Sequence, residues 1–495
     1  MSYPPRPPSG AGDNLSAILA LLDQLRPALA QDDRARQNHI VESLVEQRAP
    51  MGAQWPALAQ IAADNGEIAL ARAAIELHIA GAGGQAAAAF QQAALLAHVG
   101  MWAQAYAVIR AWRPDTPDPA TYAHSRGAAA LHLGHTDEAR EQLDRATRLR
   151  PQSGSAWLTF STLLDFSREP ELADRLIGTR PPEDSAGFGE RASYFYALGK
   201  AHADLGERAR AFAAFAEGAR QAKSEVPYDR AEDRAAAESA VAGYDAEAIA
   251  ALASRQSEPT DRTIFVAGLP RSGTTLVEQI LTSHSAVSDG GETTRLALFA
   301  RDIRGLSYPN LREYVERVGA PEAARLWRHW MDERFPGPGR VVDKTTTNGR
   351  MLGLAAALLP QAPLLWITRD PLDCAWSCFR TYFSGGQPWT YDLEDIAYHF
   401  RLEDRLLAQW RQILGERLLV IPYESLASEP EPWIRRLLAH GGLPEEPQPF
   451  APHENPRAVA TASTMQVRRP INRAGIGAAE PYREFLQPFV EAYRA

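Results

Sequence analysis

Cysteine is nearly absent from this chain. Cys374 and Cys378 are the only two among 495 residues, which excludes a multi-disulfide secreted scaffold. Lying four residues apart, they fall on one helical face, the pattern of two buried thiols rather than of a disulfide or a metal site. No apolar run approaches the length of a membrane span. The proline-rich start, residues 1–13, lacks the apolar core of a secretory signal and reads as a disordered tail, so a cytoplasmic location is expected. An excess of positive charge is also missing: 52 Lys and Arg stand against 61 Asp and Glu, a net charge of −9. That balance argues against a general nucleic-acid binder, although it permits a local basic cleft. His284, His399 and His453 show no metal-ligand spacing, and no metal is expected.

What is abundant is alanine, and it recurs. Gly66, Gly100 and Gly134 are spaced 34 residues apart, and Ala71, Ala105, Ala139 and Ala173 keep the same interval. This period is the signature of the tetratricopeptide repeat (TPR), a pair of antiparallel helices per unit. Glycine permits the turn between the helices, and alanine lets their backbones approach closely. Leu143, Ala146 and Pro151 extend the pattern around Ala139. A further unit, with Gly199, Gly206, Ala211 and Phe215, is displaced by four residues, which the loop at 180–187 can absorb. About four or five units are expected from Ala53 to Ala222, preceded by helix from Leu15 to Glu46. Such a stack offers a concave surface, for an extended peptide or protein partner or for a homo-oligomer contact. Alanine-rich helix continues to Ser254, and the polar stretch 255–262 breaks it. The domains read as residues 14–255, helical repeats, and 256–495, an α/β domain that is expected to fold without them.

The second half opens on its most informative segment. Thr263–Ala267 reads as a buried strand, followed by Gly268-Leu-Pro-Arg-Ser-Gly273 and the start of a helix at Thr274 and Thr275. The glycines have P-loop spacing, but the lysine of a Walker loop is missing; the cation comes earlier, as Arg271. The backbone N–H groups of such a loop and the helix N-terminus behind it form an anion cradle. A phosphate-like ligand is expected, without the nucleoside-triphosphate chemistry of a kinase. Arg340–Lys344, Leu364–Arg369 and Leu418–Tyr423 read as further buried strands, each preceding a helical stretch, as in a parallel sheet of βαβ units. Ligands of open α/β sheets sit beyond the carboxyl ends of the strands, a rule that brings Arg271, Lys344 and Arg369 to one edge.

Pro-Arg-Ser-Gly-Thr-Thr at 270–275 resembles the 5′-phosphosulfate loop of sulfotransferases that use 3′-phosphoadenosine 5′-phosphosulfate (PAPS). The closest resemblance is to the tyrosylprotein sulfotransferases and to bacterial proteins joining a TPR array to a sulfotransferase domain. It implies a P-loop-like α/β fold and assigns Pro270, Arg271, Ser272, Gly273, Thr274 and Thr275 to the co-substrate. Arg369-Asp-Pro with Ser377 resembles the 3′-phosphate segment, and arginine's planar fork suits phosphate oxygens. Gly-Glu-Thr at 291–293 matches the turn that carries the family's catalytic glutamate. Glu292 would then take the proton of the acceptor hydroxyl. Lys344 falls where the family carries a lysine near the scissile bond. The segment from Thr461 to Gly477 resembles a late family motif, in which Ser463 would help hold the reacting sulfate and Arg473 would close on the 3′-phosphate. Tyr423 is a candidate adenosine contact, with packing as the alternative.

The reading is a sulfotransferase moving a sulfuryl group from PAPS to an acceptor hydroxyl; the acceptor is open, with a peptide tyrosine favoured by the resemblance and carbohydrate or small-molecule alcohols as the alternatives. Two rivals stand beside it. A P-loop kinase or NTPase is opposed by the missing Walker lysine, and a TPR scaffold with an inert transferase domain is opposed by the joint presence of Arg271, Glu292, Lys344, Arg369 and Ser377.

Overall fold

The computed structural model describes residues 11–83, 86–112, 118–183, 187–384, 386–455 and 469–495. Most of the tail at 1–13 lies outside them, as does Ser463. The first helix, Ala11–Ala30, begins inside the stretch read as tail, and Arg34–Glu46 follows it.

The first half is helical in pairs. Trp55–Asp64 with Ile68–Gly81, Ala86–His98 with Trp102–Arg110, Pro119–His132 with Thr136–Leu149, and Glu190–Asp204 with Arg208–Glu225 are each joined by a short turn. Gly66, Gly100, Gly134 and Gly206 hold these turns at φ of 92°, 78°, 79° and 77°, a left-handed conformation that glycine adopts without a Cβ penalty. Ala71, Ala105, Ala139, Ala173 and Ala211 are all at most 1% exposed. The 34-residue spacing thus corresponds to repeating turns and close helix contacts.

By packing, the chain forms two compact units. The first comprises Met1–Thr116 with two segments from the second half, Ala297–Asp302 and His329–Pro336. Within it Arg34 pairs with Asp302 at 2.7 Å and lies over the buried Trp330 ring at 4.9 Å. Glu67, His329 and Glu333 also converge there. Glu67 is bonded by His329 at 2.8 Å and by Asn38 at 3.2 Å, with Arg34 at 3.5 Å, so the group is an ion-pair network.

The second unit holds the remaining repeats and the sheet. Its five strands are β1 (Thr263–Ala267), β2 (Val287–Asp289), β3 (Arg340–Asp343), β4 (Leu364–Thr368) and β5 (Leu418–Pro422). They run in the order β2-β3-β1-β4-β5, and every pairing is parallel. All five residues of β1 are buried, as its central place requires. The chain leaves β1 for both flanks of the sheet, so the loop after β1 sits at a topological switch point. Four strands match the apolar runs of the sequence; β2, three residues long, is too short for a periodicity to mark it.

The last repeat pair shares a core with the α/β part. Tyr196, Phe215 and Ala219 join Trp376, Phe379 and Phe400 in one buried cluster. Phe215 meets Trp376 edge-on at 5.7 Å, and Trp376 stacks on Tyr482 at 4.0 Å. The Pro371–Phe379 helix therefore presents one side to the repeats. Among the described residues no helix is long and apolar enough to cross a membrane.

Candidate functional site

The loop after β1 is shaped by its glycines. Gly268 and Gly273 have φ of 140° and 113°, and a Cβ on Gly273 would lie 2.8 Å from the Tyr423 ring. Between them Arg271, a non-glycine, is held at φ 68°, a sparsely populated conformation that persists only when its surroundings impose it. Those surroundings are explicit. The Ser272 hydroxyl and N–H both donate to the Leu269 carbonyl, at 2.6 and 3.1 Å. The Cys374 and Cys378 thiols both donate to the Pro270 carbonyl at 3.3 Å, which gives the two cysteines a structural role under the loop. Thr274 and Thr275 open the following helix, Thr274–Thr282, so N–H groups line the turn.

Cations gather around this loop. Arg271 Nε donates to Ser377 Oγ at 3.0 Å, and Arg369 donates to the Arg271 carbonyl at 2.8 Å. Arg369 also donates to the Gly475 carbonyl and lies over the Tyr423 ring at 4.9 Å. Its Nε is buried without a hydrogen-bond partner among the described residues. Burial, with the nearby charges of Arg380 and Arg369, pushes Arg271 down to about 10. Arg380 is lowered too, by burial and by Arg369. Three guanidinium groups packed this closely, one with an unused N–H, form a donor set that fits a polyanion such as PAPS. Arg380 was not singled out in the sequence; its position three residues after Ser377, on the same helical side, is the signal that could have found it.

The segment around Arg473 is tied to the same place. Asp373 accepts from the Gly477 and Ala479 N–H groups at 2.7 and 2.8 Å. The Arg473 side chain itself donates to Ser428 Oγ at 2.9 Å.

A second group lies at the end of β3. Lys344, 3% exposed, pairs with Glu292 at 3.0 Å. Burial opposes its charge, but the carboxylates of Glu278, Glu292 and Asp289 outweigh that cost and raise its pKa. Lys344 therefore stays a cation. The Glu292 turn is fixed to β3: the Lys344 N–H donates to the Gly291 carbonyl at 2.8 Å, and Thr293 and Thr345 donate to the two oxygens of buried Asp343 at 2.5 and 2.7 Å. Glu292 is left half-exposed, with a side-chain exposure of 49%. Glu278, one turn into the helix after the loop, is 1% exposed. It is a second residue missed in the sequence, an acid in an otherwise apolar stretch. Because β3, β1 and β4 are neighbours, about 4.8 Å apart, the structure brings Glu292 and Lys344, Arg271, and Arg369 to consecutive strand ends of one edge.

Residues 263–447 match the model of the Sulfotransferase family. An uncharacterized protein of Aquifex aeolicus (strain VF5) is 28% identical over 372 residues, covering 72% of this chain and 48% of its own. The protein-tyrosine sulfotransferase of Drosophila melanogaster is 25% identical over 240 residues, covering 42% of this chain and 45% of its own. The chain thus spans about half the length of the curated relatives it matches. Among solved structures, the sulfotransferase domain of the Synechococcus PCC 7002 olefin synthase aligns over 48% of this chain and 97% of its own, at 17% identity and a TM-score of 0.33.

Proposed function

We propose, because residues 263–447 form a sulfotransferase-family domain, that this chain moves a sulfuryl group from PAPS to an acceptor hydroxyl. The observation that carries the reading is the pairing of two charge arrangements on one sheet edge. One is a set of three part-buried guanidinium groups around the donor loop, Arg271, Arg369 and Arg380, with Arg271 donating to Ser377 and Arg369 to the Arg271 carbonyl; the other is a Lys344–Glu292 pair with its acid half-exposed. PAPS supplies the activated sulfuryl group. The acceptor oxygen forms a bond to sulfur as the bond from sulfur to the 5′-phosphate oxygen breaks, and the electron pair leaves with that phosphate.

Glu292 takes the acceptor's proton. Lys344, kept charged by its carboxylate neighbours, and Arg271 neutralise the charge that grows on the departing oxygen; one such preorganised donor contributes about 3–4 kcal/mol. Pro270 to Thr275 hold the 5′ end, Arg369, Ser377 and Arg473 the 3′-phosphate, Tyr423 the adenosine side, and Ser463 the sulfate. The acceptor we favour is a peptide tyrosine, supported by the Drosophila relative. The repeats up to about residue 255 position the partner that carries it, and the transferase domain follows. Incubation with labelled PAPS and a panel of phenol, peptide and sugar acceptors, read by mass spectrometry, tests this. A product heavier by one sulfuryl group is expected, and phosphoryl transfer from ATP with no sulfated product would reverse the assignment.

A further inference from the structure

The turn that carries Glu292 is held under strain. Thr294, two residues on, sits at φ 58°, a conformation that a β-branched residue adopts only when its surroundings impose it. The turn also runs close against β3: a Cβ on Gly290 would collide with the Val342 carbonyl. Glu292 itself has half its side chain in solvent and, among the described residues, one side-chain bond, to Lys344. Its position is therefore set by the backbone of the turn rather than by packing around the carboxylate.

That backbone is pinned through one acid. Asp343, the last residue of β3, is wholly buried and stands directly before Lys344. Its Oδ2 accepts from Thr293 Oγ1 at 2.5 Å, and its Oδ1 accepts from the Thr345 N–H at 2.9 Å and the Thr345 hydroxyl at 2.7 Å. Thr345 Oγ1 in turn accepts from the Thr294 N–H at 3.1 Å. The residue after Glu292 and the residue after Lys344 thus hang on the two oxygens of one carboxylate. Asn348, fully buried as well, donates to the Asp343 carbonyl at 3.1 Å and keeps the acid's backbone in place. Among the described residues the donors to this carboxylate are all neutral. A charge buried on neutral donors alone is costly, and apolar packing at a strand end would cost less. Stability does not account for the acid.

We infer that Asp343 and Thr293 are positioning residues: their bond fixes the Glu292 carboxylate relative to Lys344, so that the acid can take the acceptor's proton as the lysine meets the departing oxygen. The inference rests on the proposed role of Glu292 and adds the pair that places it. Neither residue removes a proton or binds the donor; the pair acts through Glu292 alone. A base displaced by about 1 Å can lose about 10²-fold in rate, and a half-exposed carboxylate has little else to restore its place.

The test uses the full chain, labelled PAPS and whichever acceptor of the phenol, peptide and sugar panel gives most product. Thr293→Val keeps the size and removes the hydroxyl; it should lower kcat about 10–10²-fold, while affinity for adenosine 3′,5′-bisphosphate stays within about threefold. Thr293→Ser keeps the hydroxyl and should retain most of the wild-type kcat. The sharpest readout is the double variant. In a Glu292→Gln background the valine change should cost about threefold or less, because effects that run through one group do not add. A Thr293→Val protein that turns over at the wild-type rate overturns the proposal. So does a loss by the same factor in both backgrounds, the mark of a merely structural role. If Thr293→Val melts without cooperativity, Thr345→Val, which cuts the hydroxyl tether to the other oxygen, is measured in the same two backgrounds, with the same result expected and the same result overturning the proposal. If Glu292→Gln itself turns over normally, the base assignment falls and this inference with it. If Glu292→Gln is slow and Thr293→Val is not, only the positioning pair falls. No product from any acceptor removes the sulfotransferase reading and the inference together.

Discussion

Packing guanidinium groups together is expensive, and this chain places three of them, each part-buried, around one loop. Arg271 and Arg380 are both depressed by burial and by neighbouring like charge. Such a cluster stabilises nothing by itself; a bound polyanion offsets its cost. Arg369 is the member with a free donor, and its other bonds go to backbone carbonyls of two separate loops. Arg369→Ala should weaken binding of adenosine 3′,5′-bisphosphate by about tenfold or more, since a hydrogen bond to a charged group is worth about 1.5–3 kcal/mol. Calorimetric titration checks this, and unchanged affinity would move the 3′-phosphate site elsewhere. Glu292 should behave differently. Glu292→Gln keeps the shape and removes the base, so turnover should fall by about 10²–10⁴-fold, while bisphosphate affinity stays within a few-fold. Wild-type turnover in that variant would mean that another group takes the proton.

At the level of elements, the donor loop depends on backbone shape as much as on side chains. Gly273 combines φ of 113° with a Cβ position 2.8 Å from the Tyr423 ring. Gly273→Ala should therefore cost about 1–3 kcal/mol in strain and lose most bisphosphate binding, because the N–H groups that face the anion move with the turn. A melting curve and a titration on the same sample separate the two effects; binding at wild-type strength would show that the turn's shape does not matter. This loop was readable in the sequence because its glycines, proline and hydroxyls follow an apolar strand. The repeat pairs were readable because small residues recur at the tight turns. Other parts were not. The strand β2 is too short to show a period, and Glu278 and Arg380 earn their place through neighbours distant in sequence. The shared core of Tyr196, Phe215 and Trp376 was illegible for a related reason: each aromatic looks like the core of its own element, and nothing local says that they meet.

That core decides what the whole molecule can tolerate. Repeat arrays commonly fold on their own contacts, and on that basis the α/β half was expected to stand alone. The packing predicts the opposite. Removing residues 1–255 would strip Tyr196, Phe215 and Ala219 from the helix that carries Ser377, and would expose Trp376 and Phe379. Each large apolar side chain so uncovered forfeits about 1.5–3 kcal/mol, against a typical domain stability of about 5–15 kcal/mol. The truncated protein should aggregate or melt without cooperativity, as scanning calorimetry would show. A soluble fragment that melts cooperatively and binds the bisphosphate at full strength would mean that this core is dispensable. The repeats near the sheet are thus predicted to support the site as well as to carry a partner.

The central claim is that the edge of the sheet is a site for a sulfuryl donor and not for a nucleoside triphosphate. The most direct measurement is a calorimetric titration of the full chain with adenosine 3′,5′-bisphosphate and, separately, with ATP and magnesium. The account predicts saturable binding of one bisphosphate per chain, at least about tenfold tighter than ATP (a difference of about 1.4 kcal/mol) and unaffected by a chelator. Tighter binding of ATP that requires magnesium, with no heat from the bisphosphate, would contradict it.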